Sequence, residues 1–280
     1  MKKKRKGELL IIGGNEQKNP DAEQTAILKQ VAQAALEGGR LVILTVATAE
    51  PVEMARTYRE AFGKLGVKNI DVLDIRTREE SFSLVNLEKL EGASVLFFTG
   101  GDQLRITSQM GGTPVMERIF ALHDEGAAIV GTSAGAAAVS ETMLVGGASN
   151  ASHITSLAMA PGLALLKGVI VDSHFAERGR FGRLMGAVAQ NPHNLGLGID
   201  ENTGVLVTND EEFTVLGSGA VYVVDGTSTS YTSLSDRHSE GILTIHDTRV
   251  HVLGRGDRYN LKTRRPLVPT HAEGVAPRAD

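Results

Sequence analysis

Short apolar runs alternate with helical periodicity through the first half of the chain, and this alternation constrains the fold more than any other feature. Leu9–Ile12, Leu41–Val46, Ile70–Ile75, Val95–Phe98 and Ile129–Val130 are rich in β-branched residues. Such runs suit strands that are buried on both faces. Between them, Ala22–Glu37 repeats Ile27, Leu28, Val31, Ala32, Ala35 and Leu36 at helical spacing and stops at Gly38-Gly39. Glu50–Leu65 places Met54, Tyr58, Ala61, Phe62 and Leu65 on one face before Gly66, and Gly112–Ala127 carries Val115, Met116, Ile119, Phe120 and Leu122. Strands separated by such helices predict βαβ units: an α/β fold with a mostly parallel sheet flanked by helices.

The second half reads differently. Val169–Val171 and Leu195–Ile199 look like further strands. Val205–Val207, Phe213–Leu216, Val221–Val224, Ile242–Ile245 and Val250–Leu253 then follow without an intervening helix. Asn209-Asp210, Asp225-Gly226 and Gly254–Asp257 punctuate them as turns. This predicts an antiparallel, β-rich C-terminal part. No repeat or long linker interrupts the chain. The expected organisation is one domain over 1–280: a basic tail (1–7), an α/β core (8–200), a β-rich part (201–268) and a flexible tail (269–280).

Composition removes several function classes. The net charge is −4, from 29 basic and 33 acidic residues, which is no nucleic-acid footprint. No apolar stretch nears the roughly 20 residues that span a bilayer. The run Lys2, Lys3, Lys4, Arg5, Lys6 precedes only a short apolar stretch, too short for a signal peptide, so a cytoplasmic location is expected. Cysteine is absent, which excludes disulfides, zinc–thiolate sites and cysteine nucleophiles. Aromatic residues are 4% and tryptophan is absent, which argues against stacking platforms. Glycine is in excess, 32 of 280 residues, so some glycines must serve turns and close backbone approaches.

One glycine pair frames a serine. Gly131-Thr132-Ser133-Ala134-Gly135 follows the Ile129–Val130 run and precedes the helix-forming Ala136–Val139. Strand, tight turn and helix are the setting of a nucleophile elbow. The turn needs small neighbours two before and two after the serine, and the amide after it faces a developing oxyanion. A capping serine in a plain glycine-rich turn is the bland reading. Phe98-Thr99-Gly100-Gly101-Asp102 is a second strand–Gly-Gly–helix junction, where Gly101 offers an unobstructed N–H and Asp102 a helix cap. Gly13-Gly14 is a third pair and lacks dinucleotide-binding spacing.

A serine nucleophile needs a base. Of eight histidines, His174 stands out because it ends Gly168–His174 at a strand terminus, where open α/β sheets place their sites. His153 stays open as a candidate. His123 reads as satisfied or solvated, His193 sits in a turn, and His238, His246, His251 and His271 fall in the β-rich part or tail. Glu201, ending Leu195–Ile199, is preferred over Asp172 as the acid behind the ring. A helix starting near Phe175 would set Arg180 and Arg183 three apart, close to Arg178. Such a cluster suits a substrate carboxylate, or else a solvated basic face. No metal motif is found, and no cofactor is expected.

At these residues the chain resembles the cyanophycinases, within the serine peptidase group that includes aspartyl dipeptidase (peptidase E). The resemblance rests on Phe98–Arg105, Gly131–Ala136, Asp172–Arg180 with Arg183, and Gly198–Glu201. It implies a flavodoxin-like core related to class I glutamine amidotransferases, with serine in place of their cysteine. It also implies Ser133 as nucleophile, His174 as base and Glu201 as acid, with Gly101 and Ala134 forming the oxyanion hole. Its substrate pocket maps onto Gln103, Asp172, Ser173, Arg178, Arg180 and Arg183. Ser173 departs from the glutamine expected at its position. The implied activity is release of β-Asp-Arg dipeptides from the C-terminal end of cyanophycin, a poly-aspartate bearing arginine on each side chain, by a homodimer. The competing expectations are an aspartyl dipeptidase and a non-catalytic phosphate- or nucleotide-binding module using the three glycine pairs. No nucleic-acid or membrane partner is expected.

Overall fold

The computed structural model describes residues 6–22, 26–36, 39–146, 157–235 and 242–267. Residues 1–5, His153, His238, His271 and the tail 269–280 lie outside them.

The first half follows the alternation read from sequence. β1 (Leu9–Ile12), α1 (Ala26–Leu36), β2 (Arg40–Leu44), α2 (Pro51–Lys64), β3 (Ile70–Leu73), α3 (Leu84–Glu88), β4 (Ala93–Phe98), α4 (Gln103–Met110), α5 (Pro114–Asp124), β5 (Ala128–Thr132) and α6 (Ala134–Ala138) run in order. Helix starts are fixed locally. Pro51 and Pro114 open α2 and α5 at a position where a missing N–H costs nothing. Thr113 and Asp102 cap α5 and α4 through their side-chain oxygens.

The second half comprises β6 (Thr142–Gly146), β7 (Ala158–Pro161), β8 (Val169–Ser173), α7 (Phe181–Gln190), β9 (Leu195–Ile199), β10 (Thr203–Thr208), β11 (Glu212–Gly217), β12 (Val221–Asp225), β13 (Tyr231–Thr232), β14 (Ile245–His246), β15 (Arg249–Leu253), β16 (Arg258–Asn260) and β17 (Arg265–Leu267). The strand expected over Ile242–Ile245 is instead the two-residue β14, paired with β13. The helix expected from Phe175 begins at Phe181, after a turn.

The large sheet has nine strands in the order β17-β16-β11-β10-β1-β5-β4-β2-β3. β1, β5, β4, β2 and β3 are parallel to one another, while β10, β11, β16 and β17 extend the sheet antiparallel. A second sheet has the order β15-β12-β9-β8, with β8 and β9 parallel. The strands after residue 201 are thus divided between these two sheets and the separate β13–β14 pair.

Burial explains the continuous apolar runs. Leu10 and Ile12 of β1 pack under α1 and α2 with Ile27, Leu28 and Phe62. Leu9 and Ile11 point the other way, into a core shared by α5, α6 and the small sheet through Ile119, Ala136, Leu197 and Val223. Each such side chain contributes about 1.5–3 kcal/mol by leaving water. α7 covers the outer face of the small sheet with Leu184, Ala187 and Val188. Among the described residues, no helix is long and apolar enough to cross a membrane.

Candidate active site

Strands β1, β4 and β5 of the large sheet and β8 and β9 of the small one end at one cavity. Ser133 follows β5 and begins α6 with φ 54° and ψ −109°, a conformation rare for a residue with a side chain. Strain of this kind costs on the order of 1–3 kcal/mol and persists only where the surroundings enforce it. Here the flanking glycines let the chain fold back on itself. A Cβ on Gly131 would lie 2.5 Å from the Gly135 carbonyl oxygen, and one on Gly135 would lie 2.4 Å from the Phe98 oxygen at the end of β4.

The turn aims Ser133 Oγ at Nε2 of His174, 2.8 Å away. His174 follows β8 with φ 49°, and its Nδ1 lies 2.7 Å from Oε1 of Glu201, just past β9. The other Glu201 oxygen accepts from the Asn15 side chain at 2.7 Å. The Asn15 amide, and then the His174 ring, hold the Glu201 carboxyl below the usual carboxylate range. A hydroxyl, an imidazole and a carboxylate in this chain can relay a proton away from the hydroxyl as it attacks a carbonyl.

The end of β1 indexes Ser133, His174 and the neighbour of Glu201. The carbonyls of Ile12, Gly13 and Gly14 accept from the amides of Ser133 at 3.0 Å, His174 at 2.8 Å and Asn202 at 2.8 Å. Gly14 has φ 104°, and a Cβ there would sit 2.4 Å from the imidazole Cε1. The Gly100-Gly101 junction closes the other side. A Cβ on Gly100 would lie 3.7 Å from Ser133 Oγ, and Gly101, at φ 141°, backs onto the Ala47 carbonyl. Ala134 opens α6 directly after the serine.

The arginine cluster, which by sequence suits a substrate carboxylate or else a solvated face, is divided between a buried ion pair and one exposed residue. Asp172 is 1% exposed at the end of β8. It accepts from Nη1 of Arg180 at 3.1 Å and from both Nε, at 2.9 Å, and Nη2 of Arg183. Arg180 also donates to the Ser173 carbonyl at 2.6 Å. A carboxylate this deep needs charged partners, and the two guanidiniums supply them. Phe175 fills the space over Gly198, where a Cβ would fall 2.5 Å from its ring. That packing makes residues 175–179 a turn and delays α7. Arg178 remains exposed. Gln103 donates to the Leu144 carbonyl at 2.6 Å, tying α4 to β6.

A cavity of about 480 Å³ opens over Ser133 and His174. Its described lining includes Glu201 and Gly100 but none of Gln103, Asp172, Ser173, Arg178, Arg180 or Arg183. It adds residues that sequence reasoning missed: Asn15 and Lys18 after β1, and Glu50, Glu53, Thr57 and Tyr58 at and along α2. Beneath it, Glu16 is 2% exposed and accepts from Thr132 Oγ1 at 2.7 Å and from the Tyr58 hydroxyl. Burial, then the Glu16 charge, push the Tyr58 hydroxyl well above its ordinary range. Gly13-Gly14 ends a strand just as the other two glycine pairs do. The polar Asn15-Glu16 after it was the available signal.

Residues 9–215 match the sequence profile of Peptidase family S51. The chain belongs to that family of peptidases. Among curated relatives, a protein named cyanophycinase from Geminocystis herdmanii is 39% identical over 272 residues, covering 95% of this chain and 98% of the relative. A cyanophycinase from Trichormus variabilis is 40% identical over 266 residues, covering 94% and 88%. The solved structure of a peptidase from an acI-B1 actinobacterium superposes with a TM-score of 0.66 at 20% identity, over 92% of this chain and 98% of that one. That last likeness is one of fold.

Proposed function

We propose that this S51 peptidase is a serine-type exopeptidase that degrades cyanophycin to β-Asp-Arg dipeptides. The continuous hydrogen-bond chain from Ser133 through His174 to Glu201 carries the reading. Relatives of about 40% identity over nearly the whole chain that bear the name cyanophycinase supply the substrate. The cavity agrees in charge. Glu50, Glu53 and Glu201 outnumber its single lysine, which suits a polymer studded with guanidinium groups.

In this mechanism Ser133 Oγ attacks the backbone amide carbon while His174 Nε2 takes the hydroxyl proton. Glu201 holds the ring through Nδ1 and offsets the charge that develops on it. The N–H groups of Gly101 and Ala134 stabilise the oxyanion. His174 then returns the proton to the leaving amine, and water enters by the reverse sequence to free the acyl group. Asp172, Arg180 and Arg183, with the Ser173 carbonyl, fix the segment that presents His174. Gln103 steadies the Gly100-Gly101 loop, and the exposed Arg178 acts on the charge of Glu201. The working form is a cytoplasmic homodimer, which light scattering on the purified protein checks for oligomeric state.

The test is incubation with cyanophycin and mass analysis of the products. β-Asp-Arg is expected, and Ser133→Ala should lower its release by on the order of 10⁴- to 10⁶-fold with the fold intact. Intact polymer after treatment with the unaltered protein overturns the substrate, and full activity of Ser133→Ala overturns the mechanism.

A further inference from the structure

Lys18 is the one lysine or arginine among the described residues that line the cavity over Ser133 and His174. Its ammonium does not swing freely. Nζ lies 3.2 Å from the Glu16 carbonyl oxygen, 3.4 Å from Glu16 Oε1, and 5.1 Å above the ring of Tyr58. Both supports are rigid: Glu16 is clamped by Tyr58 and by Thr132, the residue before the nucleophile. A cation is therefore held at a fixed place relative to Ser133.

That cation is not used up by its partners. The 3.4 Å separation from Glu16 exceeds a tight ammonium–carboxylate bond, and Glu16 already accepts from Tyr58 and Thr132. An ammonium has three donors. The Lys18 side chain is 32% exposed while that of Glu16 is fully buried. Elsewhere the cavity is lined with Glu50, Glu53 and Glu201 and would repel an anion. Arg180 and Arg183, the cations first expected to meet a carboxylate, are committed to Asp172.

We infer that Lys18 is the specificity residue for the chain end, binding a carboxylate of the terminal substrate unit and so confining cleavage to that unit. This rests on the exopeptidase reading above. Two carboxylates are present at the end of such a polymer, the main-chain terminus and the α-carboxylate of the last arginyl group; every unit repeats the second, so the main-chain terminus is the charge by which Lys18 marks the end.

Three synthetic oligomers of β-Asp-Arg units separate the possibilities: one unmodified, one with a main-chain carboxamide, and one with a carboxamide on the terminal arginine. The unaltered enzyme should lose about 10- to 100-fold in kcat/KM on the main-chain carboxamide, and a loss confined to the arginine carboxamide overturns the inference. Lys18→Met should lose a similar factor on the unmodified oligomer and no longer distinguish it from that carboxamide. Lys18→Arg, which keeps the charge, should retain the preference, and Lys18→Gln replaces Lys18→Met if the latter is unstable. Equal rates of the unaltered enzyme on all three oligomers overturn the inference, as does an undiminished preference in Lys18→Met. Inactivity of the unaltered enzyme on every oligomer is a different failure: it overturns the cyanophycin reading and takes this inference with it.

Discussion

The two sides of the candidate site are built by different physics. On the large-sheet side, Ser133 is placed by sterics: Gly131, Gly135 and Gly101 let three backbone segments meet closely, and the serine takes the strained angles left to it. On the small-sheet side, His174 is placed by charge: the buried Asp172 draws Arg180 and Arg183 around the end of β8 and fixes the turn that follows. Sterics leave a motif that can be read in a sequence, because only glycine fits. Electrostatic placement leaves ordinary charged residues whose partners are known only after folding. Cutting into each side should therefore give different failures.

Asp172→Asn should do the most damage, about 3–5 kcal/mol of stability, because it leaves the nearly buried Arg183 without its counter-ion. Chemical denaturation measures this. An Asp172→Asn protein as stable as the parent would show that charge does not hold this side. Gly135→Ala should cost less stability, about 1–3 kcal/mol, since one methyl must displace the Phe98 carbonyl. Its activity should nevertheless fall about 100-fold, because Ser133 moves with the turn. Unchanged kcat in that variant would remove the steric argument. The smallest effect concerns His123 on the large-sheet side, 1% exposed with Nδ1 bonded to the Ala127 carbonyl. Burial lowers its pKa, so the fold favours the neutral ring. That contribution is fully present above the unfolded value of about 6.5 and is lost as pH falls below it. His123→Gln should flatten the loss of thermal stability between neutral and mildly acidic pH. An identical pH dependence in the variant would show that His123 does not carry it.

How much of this was legible follows the same division. β1 and β9 fall on the expected residues, Leu9–Ile12 and Leu195–Ile199, because continuous apolar runs buried on both faces mark themselves. The β6–β7 hairpin escaped notice because Thr142–Gly146 and Ala158–Pro161 have neither strong alternation nor a turn signal that fixes their pairing. The start of α7 was misread because Phe175 is pulled into the core over Gly198, which sequence spacing does not reveal. The spacing of Arg180 and Arg183 fits a clamp for a substrate carboxylate or a solvated stripe, yet both turn toward Asp172, eight and eleven residues earlier. Asn15, Glu16 and Lys18 lie in an irregular stretch without periodicity. Their meaning depends on Glu201, Thr132 and Tyr58, which lie 186, 116 and 42 residues away or, for Lys18, across a ring.

The three successive carbonyls at the end of β1 carry a consequence for how such an enzyme fails. Ser133, His174 and Glu201 are separated by 41 and 27 residues along the chain, so independent supports would let each drift on its own. Ile12, Gly13 and Gly14 instead tie Ser133, His174 and the neighbour of Glu201 to one short length of backbone. Their positional errors are shared, like marks on a single ruler. Small shifts of that ruler carry all three together and preserve their mutual distances, while a break in it releases all three at once. Loss of function through this segment is accordingly abrupt, where loss through either flank is graded.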